Sequence, residues 1–149
     1  MTWRRGTLLW VLTGGYALAL VTASLLPSGE GPLGGWDAAF TPDVQDALHL
    51  PAYAGLVVLV SAALATRVRL KVAGTVWVAL ACVGLGVMME CCQAFIPGRT
   101  CSLKDALVNV AGAVLGGVGS LIWQRCRRAR PLVVGDGAAP GKATGLADR

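Results

Sequence analysis

The chain has 149 residues, 55% of them hydrophobic and only 14% charged, with a formal net charge of +5 and a mean hydropathy of +0.64. That length holds one domain, and a composition so apolar excludes an ordinary soluble fold. The basic excess comes as arginines beside apolar runs rather than as a groove interleaved with aromatics, which argues against a nucleic-acid partner and for membrane orientation.

Residues 1–7 carry Arg4 and Arg5, and Leu8 to Leu26 then run nineteen residues without a charge. A secretory leader has a shorter apolar region of about 7–15 residues, and more apolar runs follow, so residues 8–26 are expected to be a retained first span. Pro27, Gly29 and Gly31-Pro32 end it. Thr41-Pro42 reads as the next helix start, with Thr as cap, Pro in the first turn and Asp43 suiting the dipole. Asp46, His49 and Tyr53 follow on one face. Pro51 has no amide to donate and crowds the carbonyl of Ala47, which predicts a bend near His49. The second span is expected over about 47–66.

Arg67, Arg69 and Lys71 then form a tight basic turn. The third span, 72–89, is eighteen residues without a charge, enough to cross a hydrocarbon core at ~1.5 Å per residue. Pro97-Gly98 is a turn signal. Ser102-x-x-Asp105 resembles a capping box opening a fourth span over 106–124. Residues 125–149, basic and then rich in Pro, Gly and Ala, read as a disordered tail.

Eleven Lys and Arg residues lie in the termini and the basic turn, and only Arg99 and Lys104 in the first and third loops. Four spans with both termini cytoplasmic satisfy the positive-inside rule at every loop. The expected fold is therefore all-α: an integral membrane four-helix bundle.

Glu90 stands where the third apolar run ends, three residues before Gln93 on the same face. Charge at such depth is retained mainly for pairing or function. In this topology Asp46, His49, Glu90, Gln93, Arg99, Asp105 and Asn109 all fall at the outer face. They come from three helix ends, which a bundle could gather with Tyr53 into one shallow pocket. The structural reading pairs Glu90 with Arg99 at the rim, makes Asp105 a cap, His49 an interfacial histidine and Tyr53 a belt aromatic. The functional reading couples Glu90 and His49 as acid and base, the candidate catalytic residues, with Arg99 receiving an anionic head group.

On the fourth helix Gly112, Gly116 and Ser120 recur every four residues, a spacing that lets helices approach closely and reads as a packing face. Of the five cysteines, Cys82 lies in an apolar run and reads as packing. Cys91, Cys92 and Cys101 fall on the oxidising side, where one of the first two could bridge to Cys101. No ligand pair has zinc spacing, so neither metal nor other cofactor is expected.

Glu90-x-x-Gln93 before Pro97-x-Arg99, then Ser102-x-x-Asp105-x-x-x-Asn109-x-x-Gly112 and Gly116, resemble the VanZ-like family of small bacterial membrane proteins, named for a protein associated with teicoplanin resistance. His49-x-x-x-Tyr53 and the Ser24-x-x-Pro27 exit join the match, which covers about 8–123. The chain departs from the pattern before His49, where the family shows Asp-Lys and Gln45 and Asp46 stand here, reversing the local charge. The resemblance implies a multi-pass protein of the bacterial cytoplasmic (inner) membrane with a cell-envelope connection, and names no reaction.

Three functions follow as expectations. The first is binding of an anionic envelope amphiphile or a lipophilic glycopeptide at the outer pocket. The second is an intramembrane hydrolase or transferase acting on a lipid-linked head group through Glu90 and His49. The third is a structural partner of another envelope protein, docked through the small-residue stripe. The expected partners are the bilayer, an envelope lipid or lipid-linked precursor, and a membrane protein.

Overall fold

The computed structural model describes residues 2–25, 42–96 and 101–129. They form four helices: α1 (Thr2–Leu25), α2 (Pro42–Leu64), α3 (Val72–Gln93) and α4 (Leu103–Ala129). No strand occurs among the described residues. Each helix is long and apolar enough to cross a membrane. The Pro27 exit, Arg99 and the tail beyond Ala129 lie outside the described residues.

The helices overrun the uncharged runs because a charge does not end a helix whose backbone bonds continue. α3 passes through Glu90 to Gln93, and α4 begins at Leu103 and carries Arg125, Arg127 and Arg128 in its last turns. Ser102 caps α4: the Asp105 amide donates to its Oγ at 3.4 Å, the first half of the expected capping box. α2 stops two residues short of the expected span. Its end tightens as the Thr66 and Arg67 amides reach the Ala63 and Leu64 carbonyls, and the Thr66 hydroxyl also donates to Ala63 O at 2.6 Å. α2 starts at Pro42 and remains helical through Pro51.

Between helices surrounded by lipid, tails are as apolar as Leu, so association rests on close packing and interhelical bonds rather than on hydrophobic burial. α2 and α4 meet most closely. A Cβ on Gly112 would run into the Leu50 carbonyl oxygen, and one on Gly116 into that of Ala54, with the Ala54 Cα at 2.9 Å. Both contacts advance by four residues in the same direction on each helix, so α2 and α4 lie parallel in register. Small residues are required there because backbone faces backbone.

α2 also packs on α1 and α3, α3 packs on α4, and α1 and α4 lie apart. The core sits where α2, α3 and α4 converge, at Leu56, Val57, Val78, Cys82 and Ala113. α1 is peripheral: only 6% of its apolar window is buried, against 28–33% for the other three. Hydrogen bonds hold it, from the Tyr16 hydroxyl to Ala52 O at 2.9 Å and from Thr13 Oγ1 to Leu59 O at 3.4 Å.

The start of α1 and the end of α4 come to the same end of the bundle. Gly6 lies against Thr66, Gln124 Nε2 donates to Thr75 Oγ1 at 3.1 Å, and Arg128 donates to Leu70 O at 2.8 Å.

Candidate functional site

At the opposite end the termini of α2, α3 and α4 deliver polar side chains into the bundle rather than onto its surface, and the end of α1 offers a backbone carbonyl. The stripe that α3 turns inward runs Thr75, Val78, Cys82, Gly86, Met89, Glu90 and Gln93, the 3–4 spacing of one helical face. Its last residues are polar yet buried: Glu90 is 2% and Gln93 3% exposed. α4 contributes Asn109, 1% exposed, and α2 contributes Tyr53, 2% exposed.

Gln93 and Asn109 have partners 69 and 60 residues away. Gln93 Nε2 donates to the Ser24 carbonyl at 2.9 Å, tying α3 to the end of α1. Glu90 Oε2 accepts from the Ser102 amide at 3.4 Å, so the carboxylate faces the start of α4, the positive end of that helix dipole. His49 Nδ1 lies 3.0 Å from Asn109 Oδ1. A carbonyl oxygen accepts, so the ring donates from Nδ1 and keeps Nε2 as an acceptor in its neutral form. The His49 and Tyr53 rings stack with centroids 6.5 Å apart and planes 19° from parallel.

Asn109 is the hub. Its Oδ1 accepts the hydrogen bond from His49, while its buried Nδ2 has no hydrogen-bond partner among the described residues. A buried amide donor left unsatisfied costs about 1–3 kcal/mol. Gly86 makes room beside it: an added Cβ would sit 3.1 Å from Asn109 Cβ and from Tyr53 Cε1, and 3.2 Å from Nδ2.

A family model for VanZ/LLP1 matches residues 32–124. The chain belongs to the VanZ/LLP1 family. With four apolar helices, it is a multi-pass membrane protein of VanZ type. No curated protein and no solved structure matches the chain. The VanZ/LLP1 segment contains α2, α3 and every polar side chain named at this end, but leaves α1 outside.

Of the site residues expected from sequence, the structure thus brings His49, Tyr53, Glu90, Gln93 and Asn109 to one end, with Asp105 on the first turn of α4. Arg99 lies outside the described residues, as does the side chain of Asp46. His49 is paired with Asn109 rather than being defined by Glu90 alone. Gly112 and Gly116 face α2 inside the chain, so the stripe proposed for docking a partner is already occupied. Ser120 is buried further along the same face. All five cysteines are free in this structure, Cys91 and Cys101 exposed and Cys92 half-buried, so the bridge that Cys91 or Cys92 could make to Cys101 is not formed here.

Sequence reasoning missed Gly86 and the Ser24 carbonyl. Gly86 could have been found by stepping back four residues from Glu90 along its own face. The Ser24 carbonyl is backbone, and no residue identity announces it.

Proposed function

We propose that this VanZ/LLP1 protein receives the head group of an anionic envelope amphiphile, or a lipophilic glycopeptide, at the polar end of its bundle. The observation that carries this reading is the buried Asn109 amide donor without a partner, set among Glu90, Gln93, His49 and Tyr53 in a region where apolar side chains would pack at lower cost. Arg99, ten residues before Asn109, is the cation assigned to the anion.

The polar end is placed outside the cytoplasm, with both termini cytoplasmic, in the bacterial inner membrane. The support is the charge distribution: Arg67, Arg69, Lys71, Arg125, Arg127 and Arg128 gather at the other end, and Glu90 and Asp105 at this one. Single-cysteine versions check the orientation. Cys101 should react with an impermeant maleimide on intact cells and Cys126 only after permeabilisation; the reverse pattern would invert the assignment.

Binding is tested with protein in nanodiscs, by native mass spectrometry of retained phosphatidylglycerol and by titration with a lipoglycopeptide. Arg99→Ala and Asn109→Leu should each lower retention roughly tenfold, the loss of one charge-assisted or buried hydrogen bond. Retention unchanged in both variants would end this reading.

A hydrolase or transferase acting on a lipid-linked head group is the second reading, favoured by a buried Glu90 carboxylate at the same end of the bundle as Tyr53 and His49. It requires Glu90→Gln to abolish turnover of a lipid-linked phosphate while leaving its binding intact. Turnover equal to wild type excludes it.

A further inference from the structure

The basic end of the bundle holds a second feature, independent of the polar pocket. Between α1, α2 and α3 runs a groove of about 550 Å³, lined without exception by apolar or small residues, among them Ala17, Leu64, Leu70, Gly74, Trp77 and Ala81. It exists because small residues face one another across it and because α1 is only loosely seated. Gly74 keeps its floor low: a Cβ there would press on Leu70 Cδ1 at 2.9 Å. Along α3 the lining extends from Gly74 to Leu85, roughly 16 Å at about 1.5 Å per residue. That is half of a hydrocarbon core about 30 Å thick, the depth of one leaflet.

Such a groove offers water no hydrogen bond, and in a bilayer the material beside it is acyl chain. One end is marked by charge. Leu70 lines the groove and is flanked by Arg69 and Lys71, with Arg67 in the same turn, all three exposed. Arg128 joins them through its 2.8 Å bond to Leu70 O. No acidic residue stands at this end among the described residues; Asp43, Asp46, Glu90 and Asp105 all belong to the other.

We infer that the groove is a binding site for one anionic phospholipid of the leaflet on the basic side. Its acyl chain lies between α1 and α3, and its phosphate sits among Arg67, Arg69, Lys71 and Arg128. A tail-length slot ending in four cations, with no counter-charge among the described residues, fits that molecule, because juxtamembrane cations attract anionic head groups and apolar walls accept the tail. A zwitterionic lipid would satisfy the walls and not the cations. The bound lipid would fill the space under α1, which has little packing of its own.

The test uses the full chain in nanodiscs containing phosphatidylglycerol or phosphatidylcholine with a photoactivatable acyl chain, and crosslinked peptides are mapped. The anionic probe should label the Ala17 and Trp77–Ala81 peptides at least roughly tenfold more than the zwitterionic one, as expected for several lipid-facing cations. Replacing Arg67, Arg69 and Lys71 together by Gln should remove that preference while both probes still label the groove. Ala81→Phe should fill the groove and abolish its labelling, leaving labels at Val114 and Leu115 on the outward face of α4 unchanged.

Losing three cations can disturb insertion, so the wild-type preference is also measured as salt rises from ~0.01 M to ~1 M, where the screening length falls about tenfold; it should collapse. Equal labelling by both probes, a preference indifferent to salt, or groove labelling untouched by Ala81→Phe would each overturn the assignment. None of these outcomes bears on Arg99 or Asn109, so this site and the polar pocket stand or fall separately.

Discussion

The two ends of the bundle use polar residues in opposite ways. At the Glu90 end Glu90, Gln93 and Asn109 are almost fully buried, and the bonds there join helices: Gln93 to Ser24, His49 to Asn109, Glu90 to Ser102. At the Arg67 end most are exposed, Arg127 lying over the Trp123 ring at 4.7 Å and the basic turn having no acidic neighbour among the described residues. Burial makes the first set specific, since each group needs a particular partner. Exposure makes the second set additive, since every cation acts on the surface through its charge alone. The proposed head-group site rests on the first kind of arrangement and the inferred lipid groove on the second.

The sharpest way to break this contrast is to separate α2 from α4, which carry both ends. Gly116→Leu would force a side chain against the Ala54 backbone and should destabilise the bundle by roughly 3 kcal/mol, the upper range for overpacking. A fall in the detergent melting temperature with loss of monodisperse protein would register it. A variant as stable as wild type would mean that α2 and α4 are not in backbone contact.

A smaller effect is expected within the polar end. Asn109→Leu and His49→Leu should each cost about 1 kcal/mol, and the pair should couple by at least roughly 0.5 kcal/mol in a double-mutant cycle. Additive losses would show that the two side chains do not bond. Smallest are the single ties to peripheral elements. Gln93→Ala and Arg128→Ala should each lower stability by only about 0.6 kcal/mol, the mean for an interhelical bond in lipid. They differ in consequence: Gln93→Ala should loosen the end of α1, seen as a broadened spin-label distance between positions 22 and 88. Arg128→Ala should leave that distance sharp.

Much of the fold was legible because membrane physics constrains it heavily. Uncharged runs of span length, the Ser102 cap and the alternating distribution of Lys and Arg yield four helices in sequence, and the spacing of Gly112 and Gly116 marks a close contact. Helix ends were less legible. Glu90 and Arg125 break a run of uncharged residues without breaking the backbone bonds that define α3 and α4, so counting charges shortened both helices.

Sequence by itself determined which residues could not face lipid and roughly how deep each stands, because charge and hydrogen-bonding capacity belong to the side chain wherever it goes. Only tertiary structure decided whom those residues meet. Helical period assigns a residue to a face but says nothing of the helix that face will touch, and the partners of His49 and Gln93 lie 60 and 69 residues away. The groove under α1 is further still from sequence, for it is a gap left where small residues of α1 and α3 fail to fill the volume beside α2, and a gap is a property of the packing alone.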